Sequence, residues 1–263
     1  MVGMADSPQP PSAGHAGDQA GLPEPPWRSA PRRRSVPRPQ LSRDLIVSAA
    51  LQVVETGGGQ ALTMRRVADQ IGVSASSIYG YVANKEELVQ LVLDRIIAEV
   101  KIPEPDGSWQ DTLKNVGRSM LEVFRGHPGV AGLTLGRVPW GPSMLELSEV
   151  VLAELKEAGI PDQVAAYIGD LAGLYVGGFA YEEESMTGPG AGDQAAGNGG
   201  QEQIVAWLRG LPADRFPRTV ALADRLMSGS LDDRFEWGLD IIVRGVASFL
   251  DHPPGPHGPW PPQ

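Results

Sequence analysis

The chain has 263 residues, no cysteine and a formal charge of -10 at neutral pH. That length suffices for one large domain or two modest ones, while the lack of cysteine excludes disulfides, thiolate metal sites and a cysteine nucleophile and suits a reducing cytoplasm. His15, His127, His252 and His257 are too scattered to act as a metal-ligand set, so neither a metal nor a cofactor is expected.

Residues 1–40 are rich in Pro, Gly, Ala and Ser and poor in large aliphatics, a composition that predicts a disordered arm. The arm holds five arginines against three acids, and from Arg28 to Arg43 no acid interrupts Arg28, Arg32, Arg33, Arg34, Arg38 and Arg43. Residues 41–100 carry a net -2 and the remainder -10. Any nucleic-acid surface therefore belongs toward the N-terminal end, because the acidic remainder repels phosphate.

Beyond the arm the hydrophobic period is helical almost throughout, which predicts an all-α fold. Ser42 caps a first helix that Gly57, Gly58 and Gly59 stop. A short helix MRRVADQI follows Thr63, Gly72 makes a tight turn, and Ser74 is expected to cap a third helix running to Tyr81. A fourth helix starts at Asn84, with Glu87 completing a capping box, and lasts until Pro103. Longer helices are predicted over 109–125, 144–158, 162–184, 203–210, 218–227 and 231–250. Residues 185–203, SMTGPGAGDQAAGNGGQEQ, read as a long mobile loop, and 252–263 as a disordered tail. No apolar run approaches the roughly 18 residues of a membrane span, and no signal peptide is recognisable, so no membrane partner is expected.

Two short helices joined by a Gly turn, MRRVADQIGVSASSIYGYV, have the pattern of a helix-turn-helix. From Leu41 to Val100 the chain resembles the DNA-binding domain of the tetracycline-repressor (TetR) family. The matching residues include Ala50, Gly59, Leu62, Thr63, Arg65, Val67, Ala68, Gly72, Val73, Ile78, Tyr79, Tyr81, Asn84, Lys85, Leu88 and Leu91. The segments GRVPWGPSMLELSEVVLAELKEAGI and FEWGLDIIVRGVASFL resemble that family's ligand-binding and dimerising domain. The resemblance implies a helix-turn-helix domain at 41–100 and a ligand-binding, dimerisation domain at 101–251.

It also implies roles. The helix from Ser74 would lie in the major groove, with Ser74, Ala75, Ser76 and Ser77 facing base edges. Thr63, Arg65, Tyr79, Tyr81 and Lys85 would hold phosphates, the tyrosine rings packed beneath their hydroxyls and Lys85 sharing an anion site with the first turn of helix four. Gly80 stands where many members have a bulky residue, and the reading helix offers no Arg, Asn or Gln for a bidentate base contact. The arm, with Arg32, Arg33, Arg34, Arg38 and Arg43, is therefore expected to supplement it from an adjacent minor groove, in the manner of a homeodomain arm.

In the second domain the family implies a small-molecule effector. Trp109, Phe124, Trp140, Tyr175 and Phe179, together with Tyr167 and Tyr181, fall in segments that would line a partly aromatic cavity. Thr134, Arg137 and His127 would anchor polar groups, His127 alternatively capping its helix. Gly169, Gly173 and Gly177, following Ala165 at four-residue spacing, would form a smooth stripe at a homodimer interface built from helices 162–184 and 231–250. The partners implied are a double-stranded operator, an effector and a second copy of the chain. Two other readings stand beside this one. An enzyme finds no support in paired carboxylates near a His, a phosphate-cradling loop or a nucleophile elbow. A helical interaction module whose helix-turn-helix no longer reads sequence is separated from a regulator by specific operator binding.

Overall fold

The computed structural model describes residues 40–102, 107–137, 139–187 and 197–251, and the regular structure among them is entirely helical. The arm with Arg32, Arg33, Arg34 and Arg38 lies outside the described residues, as does the tail from His252. A head is formed by α1 (Arg43–Gly57), α2 (Met64–Ile71), α3 (Ala75–Ile78) and α4 (Lys85–Ile97). A body follows with α5 (Trp109–Gly126), α6 (Ala131–Thr134), α7 (Pro142–Glu157), α8 (Asp162–Thr187), α9 (Gly197–Arg209), α10 (Pro217–Leu226) and α11 (Leu231–Asp251).

The helix starts follow from side chains that satisfy otherwise unpaired backbone N–H groups. Ser42 Oγ accepts the Leu45 N–H at 3.2 Å, Thr63 Oγ1 accepts that of Arg66 at 3.2 Å, and Asn84 Oδ1 that of Glu87 at 2.9 Å. Glu87 does not close a reciprocal box on Asn84; its Oε2 accepts the N–H of the preceding Ala83 at 2.6 Å. A true capping box forms instead at Ser108 and Asp111, opening α5.

Three expectations change. The third helix stops at Ile78 rather than Tyr81, because Gly80 favours leaving the helix and the N–H groups of Tyr81 and Val82 both turn back onto Ile78 O. The expected loop at 185–203 is shortened from both sides: α8 continues to Thr187 and α9 begins at Gly197. At its end α8 is held by hydroxyls that bond one turn back, Ser185 to Tyr181 O at 2.7 Å and Thr187 to Glu183 O at 2.8 Å. The short helix α6 was not anticipated, since four residues give no period to read.

Head and body share one core. Ile46, Val54, Leu62, Val67, Ile78, Leu88, Leu93 and Ile96 of the head belong to the same buried cluster as Met120, Phe124, Leu133, Leu147, Val176 and Leu239 of the body. A second cluster, around Trp109, Leu113, Leu155, Ile168 and Val246, closes the far part of the body. Along α5, Lys114, Arg118 and Arg125 pair with Asp240, Glu236 and Asp232, fixing the register of α11 against it.

Candidate nucleic-acid interface

The helix-turn-helix is built by a left-handed glycine. Gly72 at φ +77° and ψ 36° ends α2, and its N–H together with that of Val73 returns to Ala68 O at 2.9 and 3.0 Å. A side chain at this φ is disfavoured, so glycine is required by the turn. Val73, Ile78 and Val82 then face the core and leave the opposite side of α3 in solvent.

On that side Ser74, Ser76 and Ser77 are exposed. Ser74 precedes α3 but does not cap it with its side chain; its Oγ lies 2.8 Å from the hydroxyls of both Ser76 and Ser77. The three hydroxyls form a connected polar patch in which each can switch between donor and acceptor. Ala75 departs from expectation by being half-buried with its methyl against the core.

Tyr79 and Tyr81 follow in the turn and are 53% and 40% exposed, each part covered by the protein and part in solvent. Because α3 ends at Ile78, only Ile78 and Val82 point inward here. Thr63 and Arg65 are exposed at the start of α2, and Arg65 Nε reaches Asp69 only at 4.0 Å, a surface pair too weak to hold it. Lys85 is half-buried at the start of α4, whose first turn also carries Glu86 and Glu87. Those acids oppose the anion site expected there. Arg43 turns back onto the head: its Nε and a terminal nitrogen donate to Tyr81 O at 3.4 and 3.3 Å, and it lies 3.7 Å from Glu87.

The outer face of α4 is occupied as well. Glu86, Gln90 and Asp94, spaced four apart, form a row of acceptors on one helix face, and the connection between α6 and α7 together with the first turn of α7 supplies a donor to each. Arg137 makes a fork to the two oxygens of Glu86 at 3.0 and 3.3 Å, Trp140 N–H donates to Gln90 Oε1 at 3.2 Å, and Ser143 N–H donates to Asp94 Oδ1 at 2.8 Å. The guanidinium holds the Glu86 carboxyl below its ordinary pKa, and Glu86 in turn raises that of Arg137. Asp94 thereby caps α7 from another helix. Gly141, which offers α7 no cap of its own, lacks a side chain where the Asp94 carboxylate lies.

In the body the residues expected around an effector are not all together. Tyr175 stacks on Phe235 at 5.5 Å between centroids, and Phe179 completes the trio at 6.1 and 5.0 Å. Tyr175 Oη donates to Phe235 O at 3.0 Å, over Gly238, where any side chain would collide with the phenol. Thr134 lies against Gly177 of α8, and Phe124 belongs to the same core. Trp109 sits in the other cluster, Trp140 is 71% exposed, Arg137 is bonded to Glu86 of α4, and His127 lies between Glu55 and Glu99.

The glycine stripe also divides. Residues four apart on a helix drift about 40° per step, so Gly169 is exposed while Gly177 is buried, where a methyl would come within 2.7 Å of Thr134 Oγ1 of the same chain. Gly177 therefore faces its own body, and a methyl added at Gly169 or Gly173 would meet nothing within 4 Å. The outer face of α8 is instead apolar, with Tyr167, Leu171, Leu174 and Tyr181 exposed, and α11 adds Trp237 and Ile241.

Residues 46–92 match the family of bacterial regulatory proteins called tetR, and residues 102–250 match the tetracyclin repressor-like C-terminal domain. The chain belongs to the TetR family of transcriptional regulators. Among its relatives is the HTH-type transcriptional repressor DrrR1 of Streptomyces coeruleorubidus, 30% identical over 93% of this chain and 91% of that one. The class A tetracycline repressor protein of Escherichia coli is 28% identical over 79% and 91%. The TetR family protein ActR of Streptomyces coelicolor, solved in complex with actinorhodin, superposes with a TM-score of 0.72 at 36% identity, covering 80% of this chain and 97% of that one.

Several contacts of this chain are not legible in its sequence. Phe235 was overlooked as a ring partner because it lies some sixty residues from Tyr175. The acceptor row at 86, 90 and 94 has a visible spacing, but its donors are mostly backbone N–H groups, which leave no mark in the sequence. A helix that starts at Gly141-Pro142 with no capping side chain was the available hint that a cap comes from elsewhere.

Proposed function

We propose that the chain is a homodimeric, ligand-responsive repressor that binds a pseudo-palindromic operator. The observation that carries this is the helix-turn-helix, whose Ser74, Ser76, Ser77, Tyr79, Tyr81, Thr63 and Arg65 are all exposed while Val67, Ile78 and Val82 are buried. The serine hydroxyls read base edges, and the tyrosines, Thr63, Arg65 and Lys85 meet phosphates. Three small hydroxyls give thin discrimination, which leaves a role for Arg32, Arg33, Arg34 and Arg38 of the arm in a neighbouring minor groove. Arg43, engaged with Tyr81 O, supports the rim from behind.

The dimer forms through the exposed apolar faces of α8 and α11, with Leu171, Leu174, Trp237 and Ile241 at its centre and Gly169 and Gly173 allowing close approach. Two-fold symmetry then sets the half-sites roughly 34 to 36 Å apart or at a related spacing. The effector is a small aromatic molecule, supported by the ring trio of Tyr175, Phe179 and Phe235, which shares a core with Phe124, and by the likeness to ActR, whose complex holds actinorhodin. It acts by favouring a state that binds operator poorly.

Titration with an aromatic polyketide, followed by tryptophan fluorescence and by release from operator DNA, tests the reading. Saturable quenching with parallel release is expected; quenching without release would remove the regulatory role of the site.

A further inference from the structure

The turn between α5 and α6 is seated on the end of α1. Gly129 adopts φ +84°, and a Cβ there would fall 2.6 Å from Val54 O and 2.9 Å from Gly58 Cα. Backbone meets backbone at this seat, joining head to body without an intervening side chain.

His127 opens the turn, its ring held between two carboxylates. Nδ1 is 2.7 Å from Glu55 Oε1 of α1, and Nε2 is 3.0 Å from Glu99 Oε2, just beyond α4. A neutral imidazole carries one N–H and one bare lone pair, so it can donate to only one of these oxygens and would point its lone pair at the other. Both contacts are satisfied by the imidazolium, which donates twice. The opposed ring nitrogens also rule out a shared metal, and no metal-binding group of three occurs among the described residues.

The surrounding charges favour the cation. Glu55 faces the ring from α1 and Glu99 from the end of α4; α5 directs its carbonyl end at His127, its own C-cap. From α6, Ala131–Thr134 brings no ionisable group. Arg125, two residues back, is engaged with Glu183 and Asp232, and Arg137, beyond α6, with Glu86.

We propose that His127 is a positioning residue for DNA binding: its imidazolium clips α1 and the end of α4 to the body, so the seating of the helix-turn-helix depends on a proton. This rests on the reading of the head as an operator-binding surface. Burial works against the charged ring, but the hydrogen bonds it donates to Glu55 and Glu99, with their negative charges, outweigh it and raise the pKa above the ordinary 6.5. A raised folded-state pKa gives a clip that is complete below pH 6.5 and is lost as pH rises through the folded value.

The test uses the full chain and the H127Q, E55Q and E99Q variants. Ring titrations by NMR, with H127Q assigning the resonance, should show His127 titrating above 6.5, with a lower midpoint in E99Q and in E55Q, because a glutamine amide can donate to a neutral ring. A midpoint at or below 6.5, or one indifferent to both variants, overturns the clip. Fluorescence anisotropy on a duplex from immediately upstream of the chain's own gene supplies the functional readout between about pH 6 and pH 8.5. Wild-type affinity should change across the His127 midpoint by up to about tenfold per pH unit, and H127Q should not share that change. Identical pH profiles would mean that the ring is only structural and would overturn the proposal. If neither protein binds the duplex at any pH, the operator reading falls and takes the positioning role with it. The titration and the pH dependence of thermal unfolding still decide the clip itself.

Discussion

Replacing Asp94 by Ala removes the acceptor that caps α7 from α4 and leaves the Ser143 N–H, bonded at 2.8 Å, without its carboxylate. A hydrogen bond to a charged group contributes about 1.5 to 3 kcal/mol, and a lost N-terminal cap costs about 0.5 to 2 kcal/mol. Since the bond is part-buried, D94A should destabilise by about 1 to 2 kcal/mol, or roughly 3 to 6 °C in Tm for a domain of this size. The companion change is Gly141→Ala. Its φ of -81° suits alanine, so any cost comes from the methyl meeting the Asp94 side chain, its carboxyl and its Cβ together. In the wild type G141A should cost about 1 to 3 kcal/mol through crowding. In the D94A background the carboxyl is gone while the remaining Cβ still lies 2.6 Å from the added methyl, so the cost should fall without vanishing, giving a coupling of at least about 0.5 kcal/mol. Urea unfolding followed by circular dichroism at fixed protein concentration measures all four corners of the cycle. Equal cost of G141A in both backgrounds would refute the contact between α4 and α7.

Lys85→Ala should weaken operator binding and reduce the slope of log affinity against log salt by about 0.9, the value for one phosphate contact; an unchanged slope removes Lys85 from the interface. Leu174→Glu, on the exposed face of α8, should shift the sedimentation mass toward monomer, whereas an unchanged mass would place the dimer contact elsewhere. Glu236 is held below its ordinary 4.5 by hydrogen bonding to Arg118, so its contribution is present above pH 4.5 and disappears as pH falls through the depressed value. Wild type should therefore lose more stability than E236Q on acidification below pH 4.5, and parallel curves would show that the pair does not matter.

The sequence displays the parts of the fold that are written locally. Ser42, Thr63 and Asn84 mark the helix starts at which they cap, and Gly72 marks the turn because its φ of +77° leaves little alternative. The exposed rim was equally legible: with Val67 and Ile78 assigned to the core, Arg65, Ser76 and Ser77 must face away. Contacts between distant segments were hidden. An alanine at position 75 suits either a base or a core, and only the pose of α3 turns its methyl inward. His127 suits an effector anchor or a cap equally in the sequence, since nothing near it announces Glu55 and Glu99. Nor does the sequence around Arg137 point to Glu86, which only the fold brings to it. The glycine stripe misled because a four-residue repeat was read as straight along a helix that turns by 3.6 residues.

Operator binding is the most direct test of the central claim. Fluorescence anisotropy on DNA from immediately upstream of the gene, comparing the full chain with a version starting at Gln40 at low and moderate salt, examines rim and arm together. Tight binding that prefers this DNA over a scrambled duplex, and that loses affinity and salt slope without the arm, is the expected result. Equal binding to the scrambled duplex by both versions would contradict sequence-specific repression and leave the helical body as an interaction module.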